Sequence, residues 1–469
     1  MISKKSKETF YYFSPTMIST LCLFIYLPFL TRKLELEDFG YFYSCSLISL
    51  IFGVMTTFGS SVSISKYFHN HTIEEKKTFL STTIFFNMTI SLVISILVFV
   101  FWEDFTSLFL KNVVGATDFQ KAVIVFSIFI YGSQLFTSEV LTIEKKAINF
   151  FYFSSISSIT TLFVIITMII FSNQTVDILF YSLFIANVLT FIYSMNILRF
   201  YLCKLPNVNT FKKIISEFKI IISNIIENLS SFIEGSLIVN NLGLDKFALF
   251  THSKNYEKFL NNTCTAVSRS IWSDELKNFK EKKKMILSYD AINFINLICL
   301  FGGIFFATIG FDLISLISNN KFSEASYLVS VLFLVGLFKN TNIPYTIIIH
   351  TMGKSSDIAN QLYVLKISLI LVLFLSIKSL GIYGLLLAYV ISTILAKIYI
   401  IKIARKYINI EIIEKKILIS SILILATLFY SLFFSDEFTS RLYSFLIFSS
   451  SNFCIYYKDI KNLVYFIKK

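Results

Sequence analysis

Fourteen apolar stretches recur along this 469-residue sequence, most of them as long as the roughly 18 to 20 residues that a helix needs to cross a bilayer. They fall near 10–30, 39–65, 79–101, 121–141, 147–171, 177–198, 220–241, 247–272, 286–311, 325–349, 358–377, 382–401, 417–434 and 441–457, segments 1 to 14 below. Only 14 Gly and 4 Pro are present, too few for the turns of a β-sandwich or barrel, and 53 Phe with 25 Tyr are more aromatic surface than a soluble core of this size could bury. The expected fold class is all-α: a polytopic integral membrane protein.

The net charge of +13 would point to nucleic acid in a soluble protein, but its placement says otherwise. With the N-terminus inside, the inner loops carry 29 Lys and Arg and the outer loops 8, with Lys397 counted in the inner loop at 397–416. This positive-inside bias places both termini in the cytoplasm and leaves no call for a nucleic-acid partner. The basic start, Met1 to Glu8, precedes a bulky stretch with Pro15 and Pro28 and no small-residue cleavage site, so it reads as a retained first helix. Six scattered cysteines without paired spacing read as filler. His69 and His71 lack further ligands nearby, so neither a metal nor a cofactor is expected.

No loop exceeds about 20 residues, so no soluble domain sits on either side of the membrane. The sequence has no Walker A motif. A membrane glycosyltransferase or polymerase would be expected to carry a large extracytoplasmic loop, and lipid enzymes gather Asp, His or Arg at one interface; neither feature is present. Transport, rather than enzymatic chemistry, is what remains.

An internal repeat sharpens this. Leu34-Glu-Leu-Glu-Asp-Phe-Gly-Tyr-Phe42 and Leu242-Gly-Leu-Asp-Lys-Phe-Ala-Leu-Phe250 share four identities in nine positions at an offset of 208 residues. Each stretch is an outer turn leading into the next segment. Six segments separate the copies, so the two halves have the same orientation. Such parallel repeats are related by an axis along the membrane normal, with substrate expected between them. The expected organisation is one lobe over 1–200, a cytoplasmic linker over 201–219, a second lobe over 220–405, and two further helices with a tail over 406–469.

The stretch from Leu27 to Phe42, LPFLTRKLELEDFGYF, resembles the opening hairpin of the Wzx-type O-antigen and polysaccharide flippases of the multidrug/oligosaccharidyl-lipid/polysaccharide superfamily. Leu242–Phe250, Met352-Gly353-Lys354 and Gly381-Ile-Tyr-Gly384 fit the same pattern. The resemblance implies a two-lobed, alternating-access transporter in the bacterial inner membrane. Its substrate would be an undecaprenyl-pyrophosphate-linked oligosaccharide, moved to the outer leaflet for O-antigen, capsule or another surface polysaccharide. A polymerase and a chain-length regulator are the further partners to look for. A cation-coupled exporter of the same superfamily stays open as the alternative. Such exporters often carry an acidic residue in helix 1, and none lies within 10–30 here.

Candidate site residues follow from the cost of ionisable groups inside a span, which makes them face a cavity or a partner. In segment 8, Lys254, Lys258, Asn261, Thr265 and Arg269 fall on one helical face. In segment 7, Asn224, Glu227, Asn228, Ser231 and Glu234 do the same. The cations suit a diphosphate, and the amides and hydroxyls suit sugars. Alternatively, Glu227 and Glu234 pair with Lys258 and Lys254, or serve in ion coupling. Arg32 lines the outer cavity by resemblance or anchors at the interface. Lys366 in segment 11 lines the groove or snorkels. Lys339-Asn-Thr-Asn-Ile-Pro344 in segment 10 predicts a proline kink with polar groups to satisfy the freed backbone, either an ordinary kink with a polar cluster or a hinge and substrate contact that makes Lys339 a cavity candidate. Gly302, Gly303, Ala307 and Gly310 in segment 9 predict close helix packing.

Overall fold

The computed structural model describes residues 4–57, 73–110, 113, 115–171, 176–202, 207, 218–282, 287–342, 345–346, 348–349, 352, 354–406, 411–434 and 438–450. Each of the fourteen apolar segments contains helix, and no strand occurs among the described residues. Among the described residues, eight helices are long and apolar enough to cross a membrane, nine when one bent pair counts as a single span. The chain divides into two compact units that meet at Asp245 and Lys246.

The first unit comprises α1 (Lys4–Lys33), α2 (Leu36–Thr56), α3 (Ile73–Val100), α4 (Trp102–Phe109), α5 (Asp118–Ile143), α6 (Ala147–Phe171), α7 (Asp177–Leu198) and α8 (Phe218–Leu242). The turn between α1 and α2 is closed by a capping box in which Glu35 and Asp38 each satisfy a backbone N–H. Thr117 and Gln120 do the same at the start of α5. The short α4 occupies what the sequence offers only as a loop, because Trp102 and Thr106 form a buried stripe one turn apart.

Within this unit α8 packs on α2. Gly40 admits the chain just past α8: a Cβ there would sit 2.1 Å from the carbonyl oxygen of Leu244, which still belongs to the first unit. A Cβ on Gly235 would likewise meet Leu47 at 2.3 Å. Phe232 stacks among Phe105 and Phe109, while Ser236 and Asn240 both donate to the Phe109 carbonyl.

The second unit is built from α9 (Leu244–Lys282), α10 (Leu287–Ala307), α11 (Gly310–Ser318), α12 (Ala325–Asn340), α13 (Ser355–Leu380), α14 (Ile382–Ala404), α15 (Glu411–Phe434) and α16 (438–450). Three sequence expectations change here. First, α9 runs 39 unbroken residues, about 58 Å at 1.5 Å per residue. It takes in residues 273–282 of the stretch expected as a cytoplasmic loop, whose Glu, Leu and Lys are good helix formers with no Gly or Pro to stop them. Second, segment 9 is two helices bent by 63° between Ala307 and Gly310. Third, Lys397 is no loop residue: it lies inside α14, 6% exposed. The interruption expected within Lys339–Pro344 is present: the α-helix ends at Asn340, Thr341 and Asn342 form a turn, and helix returns at Tyr345, with Pro344 itself outside the described residues.

The expected close packing in segment 9 is present, since Cβ atoms on Gly302 and Gly303 would meet Phe333 at 2.1 Å and Ile424 at 3.1 Å. Arg441 ties α16 to the bend through two parallel hydrogen bonds to Asp312, of 2.9 and 2.8 Å. Phe85, Phe163, Phe374 and Phe429 are each more than half exposed, as a lipid-facing surface requires and as a soluble protein would avoid. Cys22, Cys45, Cys264 and Cys299 are buried as thiols.

Candidate functional site

Polar and charged side chains converge in the second unit where α9, the end of α12 and α14 come together. Lys254 forms an ion pair with Glu257 one turn along α9, at 2.8 Å. Glu257 is buried and Lys254 partly so. The ammonium also lies 4.2 Å from the ring centre of Tyr389 on α14 and 5.3 Å from that of Phe250, contacts that favour a cation once it is partly desolvated. Asn261 donates to the free side of the Glu257 carboxylate at 3.3 Å and accepts from Asn340 at 3.0 Å. Lys339, in the last turn of α12, is exposed and close enough to add its field to Glu257. Lys258 is exposed on α9, one turn beyond Lys254.

The cluster therefore sets Lys254, Lys258 and Lys339 against one described carboxylate. Such an arrangement attracts anions, and the two asparagines supply both donors and acceptors for hydroxyl groups. No group of His, Cys, Asp and Glu able to hold a metal ion is found among the described residues.

The stripe predicted on segment 8 is thus real as a face of α9, and its Lys254, Lys258 and Asn261 lie together. The side chains of Thr265 and Arg269 lie outside the described residues, as do those of Asn224 and Glu227. Glu234 is buried on α8 in the first unit. Lys254 has Glu257 as an ion-pair partner on its own helix. Arg32 is exposed in the last turn of α1, and Lys366 is half-buried on α13. Neither belongs to the described cluster. His69 and His71 lie outside the described residues.

Sequence reasoning missed Glu257, Tyr389 and Lys397. Glu257 could have been found, because Lys254 and Glu257 stand at helical i,i+3 spacing, where opposite charges meet. Tyr389 carries no such signal. It is one of 25 tyrosines, and only the packing of α14 brings it beneath a lysine.

The long apolar helices mark a multi-pass membrane protein, and known structures share this fold. The structure described as "Lipid II flippase MurJ, inward closed conformation" matches with a TM-score of 0.70 at 16% identity, covering 96% of this chain and 99% of that one. An inward-facing multidrug resistance MATE family transporter of the MOP superfamily matches at 0.57 and 14% identity, over 89% and 98% of the two chains. A point mutant of the Vibrio cholerae MATE transporter VcmN matches at 0.54 and 16% identity, over 85% and 96%. No curated protein matches. The family profile described as "Polysaccharide biosynthesis protein" matches residues 6–271, and the chain belongs to that family. The resemblance drawn from the opening hairpin holds at the level of family and fold.

Proposed function

We propose that this protein is a flippase for a lipid-linked oligosaccharide, carrying an undecaprenyl-diphosphate-linked repeat unit from the cytoplasmic to the outer leaflet by alternating access. The product would serve O-antigen, capsule or another surface polysaccharide, and no covalent chemistry is involved. The observation that carries this reading is the lysine excess on α9 and α12 inside a polysaccharide-family transporter fold. A lipid diphosphate bearing sugars is anionic and very polar at one end. It needs cations and amides in a wet groove while its polyprenyl chain stays in lipid. The working organisation keeps two six-helix lobes, 1–200 and 220–405, in a bacterial inner membrane with both termini cytoplasmic. The 29-to-8 charge asymmetry supports that orientation even with Lys397 moved out of the inner loops.

The test is complementation of a deletion strain. Lys258→Ala should lower surface polysaccharide per molecule of flippase while leaving its amount in the membrane unchanged, since Lys258 is exposed. The likeness to MATE transporters supports a second reading, a cation-coupled exporter. Normal surface glycan with hypersensitivity to cationic dyes in the deletion strain favours that exporter over the flippase.

A further inference from the structure

We infer that Lys397 is a positioning residue for the cationic cluster, an inference that rests on the diphosphate reading above. A helix that stops within an apolar interior leaves the carbonyls of its last turn without intrahelical donors. α12 stops in this way at Asn340. The backbone N–H and hydroxyl of Thr341 both return to the Leu337 carbonyl, at 3.3 and 2.6 Å. The Phe338 carbonyl, which the Thr341 hydroxyl reaches only at 3.5 Å, receives the Lys397 ammonium at 3.3 Å. The same ammonium donates to Thr341 Oγ1 at 2.8 Å and Asn342 Oδ1 at 3.3 Å. Its three donors thus meet three oxygens, at the helix end whose dipole favours a cation. A lysine in a span ordinarily reaches for the surface. This one is buried across the broken end of a neighbouring helix.

The side chains fixed by that contact are the ones the cluster uses. Lys339 and Asn340 form the last residues of α12, and Asn340 bonds Asn261 on α9. Tyr389, beneath Lys254, stands eight residues before Lys397 on the same α14. One helix therefore supports the cluster at two points, one under the α9 lysine and one under the end of α12. Lys397 sets where Lys339 and Asn340 stand, and so the affinity of the cluster for a diphosphate, without touching the ligand.

The experiment uses the full-length chain with its six native cysteines replaced. The pair Asn261→Cys and Asn340→Cys reports the distance between α9 and the end of α12 through copper–phenanthroline cross-linking. Binding of undecaprenyl diphosphate to chains that keep both asparagines reports affinity. Lys397→Met should slow cross-linking about threefold or more, because reactions between held groups depend steeply on their placement. It should also weaken binding of the probe about tenfold, the scale of one charge-assisted hydrogen bond. Lys397→Arg, which keeps a cation at the helix end, should recover most of both. Unchanged cross-linking, or slowed cross-linking with unchanged affinity, overturns the inference. So does a fall in melting temperature alone, which marks a merely structural lysine. Failure of the parent chain to bind undecaprenyl diphosphate strikes the diphosphate reading, and with it the affinity half of the inference. Cross-linking needs no substrate and still decides whether Lys397 positions α12.

Discussion

The two copies of the outer hairpin keep one plan, yet the helices they launch have diverged. In both, a phenylalanine at the repeated position is buried, Phe39 in one and Phe247 in the other. Beyond the turn, the 208-residue offset aligns Ser46, Ser49, Leu50 and Gly53 of α2 with Lys254, Glu257, Lys258 and Asn261 of α9. None of the four α2 residues is charged. Ser46 and Ser49 donate to carbonyls of the same helix, at 2.9 and 2.8 Å, and Gly53 admits the Tyr131 ring, which a Cβ would meet at 2.8 Å. The α9 residues are charged or amide-bearing and make the candidate site. α2 is apolar enough to be a candidate span, and α9 is not among those candidates. The difference teaches where to look for function: the turn was kept for the fold, and charge was concentrated in one copy.

The largest expected effect comes from removing that charge on one side only. Glu257 is buried against Lys254, so Lys254→Met strands a carboxylate. Breaking a buried pair in this way typically costs about 3–5 kcal/mol, with the lower end expected because Asn261 and Lys339 remain nearby. Membrane abundance of Lys254→Met should fall sharply, and adding Glu257→Gln should restore it. Normal abundance of the single mutant would show that the α9 charges are solvated and that the contrast with α2 is only skin-deep. The measurement is steady-state membrane level and thermal denaturation in detergent.

A middle-sized effect should come from writing the second copy into the first. Gly53→Asn places a side chain where the Tyr131 ring already stands. Overpacking of this kind costs about 1–3 kcal/mol, so the melting temperature should drop. The reverse change, Asn261→Gly, should leave the fold nearly intact and lower transport per molecule instead. If both changes act alike on stability and transport, the two helices have not specialised.

These contrasts mark how far the sequence could be read. Long apolar runs announce their helices because a bilayer admits little else, so all fourteen segments contain helix. The stripe on α9 was visible because helical periodicity fixes a face before any neighbour is known. What hid was whatever depends on the neighbour. Lys254 pairs with Glu257 on its own helix, a local geometry that charge bookkeeping between adjacent segments passed over. Lys397 read as a loop cation because lysine near the end of an apolar run usually is one. Its burial depends on a broken helix end in α12, which the sequence signalled through Pro344 without showing which side chain would cover it. The bend at Ala307–Gly310 hid for a related reason, since an apolar run of the right length does not say whether its axis is straight.

The smallest effect tests the turn that both copies keep. The first hairpin closes with the Glu35–Asp38 capping box, the second with Gly243 at φ +89°. The Gly243 N–H bonds the Val239 carbonyl at 3.1 Å, the arrangement in which a left-handed residue ends a helix and satisfies one of its last carbonyls. No heavy atom lies within 4 Å of where its Cβ would stand, so a side chain there meets no neighbour and only the backbone conformation resists it. Gly243→Ala should therefore cost about 1–2 kcal/mol, the penalty of a left-handed L-residue. Gly243→Asn should cost less, because asparagine visits that region more readily. The equivalent first-copy position is Glu35, which has φ −79° and no such strain, so Glu35→Ala should lose only the cap, about 0.5–2 kcal/mol. The ordering of Ala and Asn at position 243, read from melting temperatures of purified protein, decides the point. Equal losses for the two would mean that Gly243 is held by something other than its backbone angle, and that the two turns are not alternative solutions to one task.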